Sequence, residues 1–365
     1  MNRAYSIPID LILEILSRLP SKSVGRFHCV SKLWRSMLSR PYFTELYLTR
    51  SSARPRLLFT VYRSGDEDLH FYSSPQPQIP YEKSSLVVAA DYHTTFPSRR
   101  CNYACGLICF SGRCHSGKEA LALICNPITG QYVELPKVTM YNTSEAYLGF
   151  DPVNKQLKIL LEHHPYCPPR DRHKILTLGV PNHVWRSNIV CPKYYTSFWE
   201  GICISGVIYY VAHENGIGVI FCFDVRYEEF KVIKAECFRC HQAPRLINYK
   251  GRLGLITWNP DYRGPPELHM WVLHDVEKQE WSNYVYPLPE NGAIELYKFS
   301  IAGMTTTGEF VLSTIDTLPF YVLYFNPEKN TLRSVEIQGF GENVSRIRVF
   351  VDHVEDFNFL KRESS

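Results

Sequence analysis

Several classes of protein are excluded by what this 365-residue chain does not contain. Its longest weakly polar stretch, Gly201 to Ala212, falls far short of the ~20 residues that a membrane-spanning helix needs. The apolar run Ile7 to Leu19 is broken by Asp10, Glu14 and Arg18 and leads into no small-residue cleavage site, so it does not read as an export signal. The twelve cysteines are therefore expected to be reduced, and mostly core residues. Five methionines and few alanine-rich stretches argue against a helical bundle. No Gly-rich phosphate loop, nucleophile elbow or metalloprotease helix occurs. No Lys/Arg run reaches the density of a nucleic-acid-binding tail. The expectation is a protein of the cytosol or nucleus, not secreted, with no membrane, nucleic-acid or cofactor role.

What the chain does contain is ordinary globular composition, 45% apolar and 21% charged, with length for about two domains. Aromatic residues reach 14%, with 24 Tyr and 20 Phe, an enrichment that favours strands. Charge is unevenly placed. Residues 1–50 carry eight basic residues against Asp10, Glu14 and Glu45, while the remainder holds 32 basic against 33 acidic. The first fifty residues thus form a separate basic module, suited to an acidic protein partner.

That module reads as three short helices. Pro8 can open the first, since its missing N–H is not needed there. Ile9, Leu11, Ile12, Leu13, Ile15, Leu16 and Leu19 make it apolar nearly all round, where packing on one core needs a single stripe. Pro20 ends it, and Ser21 is a candidate cap for the second helix. Phe27, Val30, Leu33, Trp34 and Leu38 carry a third helix, with Ser31 as its cap and Pro41 as its stop. Modules this small rarely sustain a core alone, and surplus apolar surface implies a partner: an outside protein or the following domain.

The stretch Ile7 to Val24, with Leu11, Ile12, Ile15, Leu16, Leu19 and Pro20, resembles an F-box, as does Arg26 to Ser36 with Phe27, Val30, Ser31, Lys32 and Trp34. The resemblance implies that Ile7, Pro8, Leu11, Ile12, Ile15 and Leu16 dock on the SKP-type adaptor of an SCF ubiquitin ligase. Leu19, Pro20, Val24, Phe27, Val30, Ser31, Lys32 and Trp34 match the rest of the motif, some supporting the helices and some touching the adaptor. Gly25 departs from an aliphatic position and should loosen the second helix; Ile9 departs from an acidic one.

Beyond residue 100 a unit recurs. A strand ends in Asn, Asp or Gly, a turn follows, and an aromatic or Leu stands six residues on. The copies are Asn126/Tyr132, Gly179/Trp185, Asp224/Phe230, Asp275/Trp281 and Asn326/Leu332, spaced 53, 45, 51 and 51 residues apart, with Asp151/Leu157 as an extra copy. Asp and Asn can bond their own backbone two residues on, Pro127, Pro152 and Pro327 suit a type I turn, and Gly130 suits its exit. A second hairpin precedes the first, as in Gly201–Tyr210 and Asn248–Ile256. Two hairpins every ~50 residues is the signature of a four-stranded, kelch-like propeller blade. Five such blades are visible; Arg56–Tyr62, Leu69–Tyr72 and Ile347–Val351 are left over, and are expected to combine into one that closes a ring of roughly six. The alternative is an irregular β-sandwich.

The segments Gly106–Cys109, Cys125–Gly130, Leu148–Pro152, Tyr324–Pro327 and Val351–Glu355, with Asp224/Phe230 and Asp275/Trp281, resemble the F-box associated domain of plant F-box proteins. The combined expectation is α+β as a whole: a small all-α three-helix F-box at 1–48, a linker at 49–54, an all-β kelch-like propeller at 55–358 and a tail at 359–365. The resemblance implies a non-catalytic substrate-recognition subunit, bound through the SKP-type adaptor to cullin and RING subunits and holding an unknown target protein. The competing expectation is a kelch-type ligand-binding or enzymatic propeller outside any ligase.

Two clusters invite chemistry. Cys237, Cys240 and His241 match a haem-attachment pattern, but one that requires export. Cys101, Cys105, Cys109, Cys114 and His115 lack the paired C-x2-C spacing of zinc knuckles, and strand alternation places Cys105 and Cys109 on one face. Neither is taken as a metal site. Two loops rich in contact residues are candidate target surfaces: one with His164, Tyr166 and Arg170, another with Trp258, Tyr262 and Arg263.

Overall fold

The computed structural model describes residues 7–77, 86–96, 101–110, 118–120, 122–140, 145–163, 173–180, 184–187, 189, 196–197, 201–214, 217–239, 244–258, 266–289, 298–315 and 318–357. Four helices open it, one more than the sequence reading gives: α1 (Ile9–Leu16), α2 (Ser21–His28), α3 (Lys32–Leu38) and α4 (Pro41–Ser52). Ser31 caps α3 as expected, its Oγ accepting the Trp34 N–H at 3.3 Å. Pro41 does not end the helical module; it occupies the first turn of α4, where its absent N–H costs nothing. Ser21 is no cap either. It is the first residue of α2, and its N–H is taken by a distant carboxylate.

The strands follow in chain order: β1 (Arg56–Arg63), β2 (Leu69–Pro75), β3 (Leu86–Ala89), β4 (Asp91–Phe96), β5 (Cys101–Ala104), β6 (Leu107–Phe110), β7 (Lys118–Ala120), β8 (Leu123–Cys125), β9 (Tyr132–Glu134), β10 (Val138–Met140), β11 (Glu145–Asp151), β12 (Gln156–Glu162) and β13 (His173–Thr177). Then come β14 (Thr196–Ser197), β15 (Ile202–Ile204), β16 (Val207–Glu214), β17 (Ile217–Asp224), β18 (Glu229–Arg239), β19 (Arg245–Tyr249), β20 (Arg252–Trp258), β21 (Glu267–Asp275), β22 (Glu280–Pro287), β23 (Phe299–Met304), β24 (Phe310–Thr314), β25 (Phe320–Asn326), β26 (Thr331–Gln338) and β27 (Val344–His353).

They build a six-bladed propeller. Blade 1 is β27-β1-β2-β4, blade 2 is β5-β6-β8-β9, and blade 3 is β11-β12-β13. Blade 4 is built on β16-β17-β18, with β15 and β14 on the inner side of β16; blade 5 is β19-β20-β21-β22; blade 6 is β23-β24-β25-β26. The leftover strands close the ring as anticipated: β27, from the far end of the chain, pairs with β1 in the register Phe59 to Val349. Sequence gave no hint of β3, which adds to the outer edge of blade 6 parallel to β26.

Each neighbouring pair of blades shares one apolar core. Leu57, Phe59 and Val349 of blade 1 meet Val322 and Tyr324 of blade 6, and Leu58 and Phe71 meet Ile108 and Phe110 of blade 2. Cores between blades 2 and 3, 3 and 4, 4 and 5, and 5 and 6 complete the circle. The strands bury both faces, which explains their near-continuous apolar runs.

The recurring Asn or Asp acts as the sequence pattern implies. In each turn its Oδ1 accepts the N–H groups two and three residues on: Asn126 from Ile128 and Thr129, Asp151 from Val153 and Asn154, Asp224 from Arg226 and Tyr227, Asp275 from Glu277 and Lys278, and Asn326 from Glu328 and Lys329, at 2.8–3.1 Å. The residue four positions on is left-handed in every case: Gly130, Lys155, Glu228, Gln279 and Asn330. Burial acts to raise the Asp151 carboxyl, but the Asn154 and Val153 N–H groups and the Asn154 amide outweigh it and hold it low.

Candidate functional site

Antiparallel blades place their turns by rule. Connections from the first to the second strand, and from the third to the fourth, fall on one side of the propeller; those from the second to the third fall on the other. β27 is an innermost strand, so the chain leaves it on the first side, where β1 also begins after α4. The helices therefore sit on this side, and the last described residues, Val354 to Phe357, form a strap between the two parts.

The strap is closely held. Glu355 accepts the Ser21 N–H at 2.7 Å and the Tyr47 hydroxyl at 3.2 Å, and its carboxylate lies 3.4 Å from the Arg56 Nε. Phe357 inserts between Phe43 and Tyr47, with ring centroids 5.4 and 4.8 Å away. It completes a helical core of Leu13, Leu16, Val24, Met37 and Leu38. On the propeller side the Asn126 amide donates to the Asp356 carbonyl, and Gly106 lies so close to the Val354 carbonyl that a Cβ would approach it to 3.0 Å. Burial of Tyr47 beside Glu355 pushes its phenol far up, so it serves as a hydrogen-bond donor. Behind the strap, His353 Nδ1 lies 3.0 Å from the Tyr103 hydroxyl, and His93 Nε2 lies 2.7 Å from Ser73 Oγ.

With one side of the helices seated, the other is left bare. Leu11 and Ile15, spaced by four and so on one face of α1, are each 54% exposed, and Ile7, just before the helix, is 57% exposed. Val30 and Leu33 add 63% and 65% at the start of α3, and Pro8, Pro20, Ser31 and Lys32 are exposed around them. Ile12 and Leu19 are half-buried; Phe27 and Trp34 stack at 5.1 Å and support the surface from beneath. Leu16 and Val24 lie elsewhere, 3% and 0% exposed in the helical core, so they shape the face without forming it. Leu33 belongs to the bare face although the F-box pattern did not single it out; its period with Val30 was the available signal. Exposed Lys22, Arg26, Lys32, Arg35 and Arg40 give the region positive charge.

The strand ends that flank the candidate target loops lie on the other side of the propeller. His164, Tyr166, Arg170, Tyr262 and Arg263 lie outside the described residues. The strand ends flanking them, Glu162 and His173, and Trp258 and Glu267, are second-to-third-strand connections, opposite the helices. Trp258 itself is half-buried against the core between blades 5 and 6.

Among the described residues no group of three His, Cys, Asp or Glu is placed to hold a metal ion. Cys114, His115, Cys240 and His241 lie outside them. Cys105 and Cys109 do not share a strand face: Cys105 sits exposed at the turn between β5 and β6, whereas Cys109 is buried. No described helix is long and apolar enough to cross a membrane.

Comparison with known proteins agrees with this architecture. The F-box domain profile matches residues 5–46, and that of the F-box associated beta propeller domain matches residues 56–354. The Arabidopsis thaliana F-box protein At3g57590 is 52% identical over 97% of this chain and 92% of its own length. The putative F-box protein At5g42430 of the same plant is 50% identical over 97% of this chain and 91% of its own. The chain belongs to the family of F-box proteins that carry an F-box associated β-propeller.

Proposed function

We propose that this chain is the substrate receptor of an SCF-type ubiquitin ligase. Its F-box docks on an SKP-type adaptor, which connects it to cullin and RING subunits, and its propeller holds a target protein. It is an adaptor, not a catalyst: transfer gains rate because the target is held near the ubiquitin-charged enzyme. The observation that carries this reading is the bare row Ile7, Leu11 and Ile15 with Val30 and Leu33, on helices whose other side is already seated. Covering each such side chain returns about 2 kcal/mol, an amount a partner can recover and solvent cannot. The basic rim of Arg26, Lys32 and Arg35 suits an acidic adaptor surface and would speed encounter.

Exposed Ile15, Leu11 and Ile7, with half-buried Ile12, are the docking residues; Leu16, Val24, Phe27 and Trp34 hold them in place. The target side is assigned to the face opposite the helices, where the strand ends around His164–Arg170 and Trp258–Arg263 emerge. Co-expression of the full chain with an SKP-type adaptor, cullin and RING subunits tests the reading. Recovery of a stoichiometric complex that charges ubiquitin onto associated protein is expected; a chain that purifies without the adaptor at every salt concentration overturns it.

A further inference from the structure

Two thiols of unlike exposure meet near the axis of the ring. Cys105 occupies the tip of the β5–β6 turn, exposed, with φ of 54°. Cys203 lies half-buried on β15. β5 and β15 belong to blades 2 and 4 but run beside one another past β11 of blade 3. Asn102 ties the same three strands together: its amide donates to the Ala146 carbonyl at 2.9 Å, and its Oδ1 accepts the Gly201 N–H at 3.3 Å.

Cys203 is surrounded by donors. It hydrogen-bonds with the Cys105 thiol, and it accepts the N–H of Phe150 at 3.5 Å and that of Gly206. Those bonds, the one from Cys105 foremost, hold its thiol below the ordinary value although burial opposes them. The other buried thiols are of the opposite kind. Burial pushes Cys101 and Cys125 up, and Cys109 and Cys222 up to about 12, so they stay protonated and inert.

We propose that Cys105 and Cys203 are a dithiol redox site, closing to a disulfide between blades 2 and 4 when the chain meets a peroxide. Cys105, the accessible thiol, gives up its proton and its sulfur attacks one peroxide oxygen. The O–O bond breaks and hydroxide leaves to become water with that proton, leaving a sulfenic acid on Cys105. The Cys203 thiol then gives up its proton and its sulfur attacks that of Cys105; the S–O bond breaks, the S–S bond forms, and the second hydroxide leaves as water with that proton. Two thiols lose two electrons and one peroxide becomes two waters. The sulfurs must close from hydrogen-bond contact to about 2.05 Å, a movement that a hairpin tip can supply. Gly106, the next residue, abuts Val354, so the site lies at the base of the strap that seats the F-box.

The test uses the full chain, reduced and then treated with hydrogen peroxide, denatured in iodoacetamide and mapped by peptide mass. A peptide joining Cys105 to Cys203 is expected, two hydrogens lighter than its parts and lost on reduction. Cys105→Ser and Cys203→Ser each abolish it, and in Cys203→Ser the Cys105 thiol proceeds to sulfinic acid. Cys101, Cys109, Cys125 and Cys222 stay alkylated. The proposal is overturned if Cys203 is still fully alkylated at a peroxide dose that consumes Cys105, or if Cys105 joins a different cysteine.

Discussion

Gly25 lies inside α2, and a Cβ built there has no atom within 4 Å. The glycine therefore loosens the helix without serving a close approach. Gly25→Ala is expected to stabilise the helical module by about 0.5–1 kcal/mol, read as a higher chemical-denaturation midpoint; an unchanged or lower midpoint contradicts this. His353 behaves differently. Burial, with His93 and Arg56 nearby, pushes it down to about 3, and burial with Arg56 and Lys22 pushes His93 down to about 4. Both stay neutral in the folded chain, whereas unfolded histidine titrates near 6.5, taken as about its ordinary value. Between roughly pH 6.5 and 4 the unfolded chain binds protons that the folded one refuses, so stability is full above this window and falls as pH drops through it. His353→Gln should flatten the dependence of melting temperature on pH across that range; an undiminished slope would show that the group does not titrate as described. Single residues such as these were the least legible from sequence. Gly25 stood out because it breaks a family pattern, but nothing in the run around His353 shows that it is buried against Tyr103 of another blade.

At the scale of elements, the turns were the most legible feature. Their Asn and Asp side chains can bond the N–H groups that follow, so a local pattern favours a local structure, and four of them, Asn126, Asp224, Asp275 and Asn326, carry the blade period together with Gly179. Elements whose partners are remote in sequence were not legible. β3 is paired parallel to a strand some 250 residues away on the chain, a separation in which no periodicity survives. α4 was missed because Pro41 was read as a stop when it served as a start. The strap is the same case: Val351–Glu355 matched a family pattern, but only the fold brings Glu355 to Ser21 and Phe357 to Phe43. Phe357→Ala should cost the F-box about 3 kcal/mol, by analogy with other aromatic truncations in cores. Glu355→Gln should leave the Ser21 N–H bonded but weaken the contact to Arg56. Trypsin cleavage after Arg50, on α4, and after Arg56 reports both: faster nicking is expected for Phe357→Ala than for Glu355→Gln, with wild type slowest. Equal rates in all three chains would mean that the strap does not seat the helices.

For the whole molecule, the ring and the helices divide the work. Six inter-blade cores make the propeller a closed scaffold, and the strap fixes the F-box on the side where β1 begins; in the proposed assembly this would hold an adaptor on the bare helix face and a target on the opposite face at one separation. The sequence conveyed this plan well, because blade count follows from period and ring closure from the leftover strands. It conveyed less about which F-box residues face outward, since α1 is apolar nearly all round and only packing separates Leu16, inside, from Leu11 and Ile15, outside. The account therefore stands most directly on the bare face. Titration of a purified SKP-type adaptor into the full-length chain, beside a Leu11→Asp, Ile15→Asp variant, measures it. The account predicts binding by the parent chain, an affinity at least ~100-fold weaker in the variant as buried apolar contacts become desolvated charges, and unaltered propeller melting. Equal adaptor affinity in the two chains, with both folded, would contradict it.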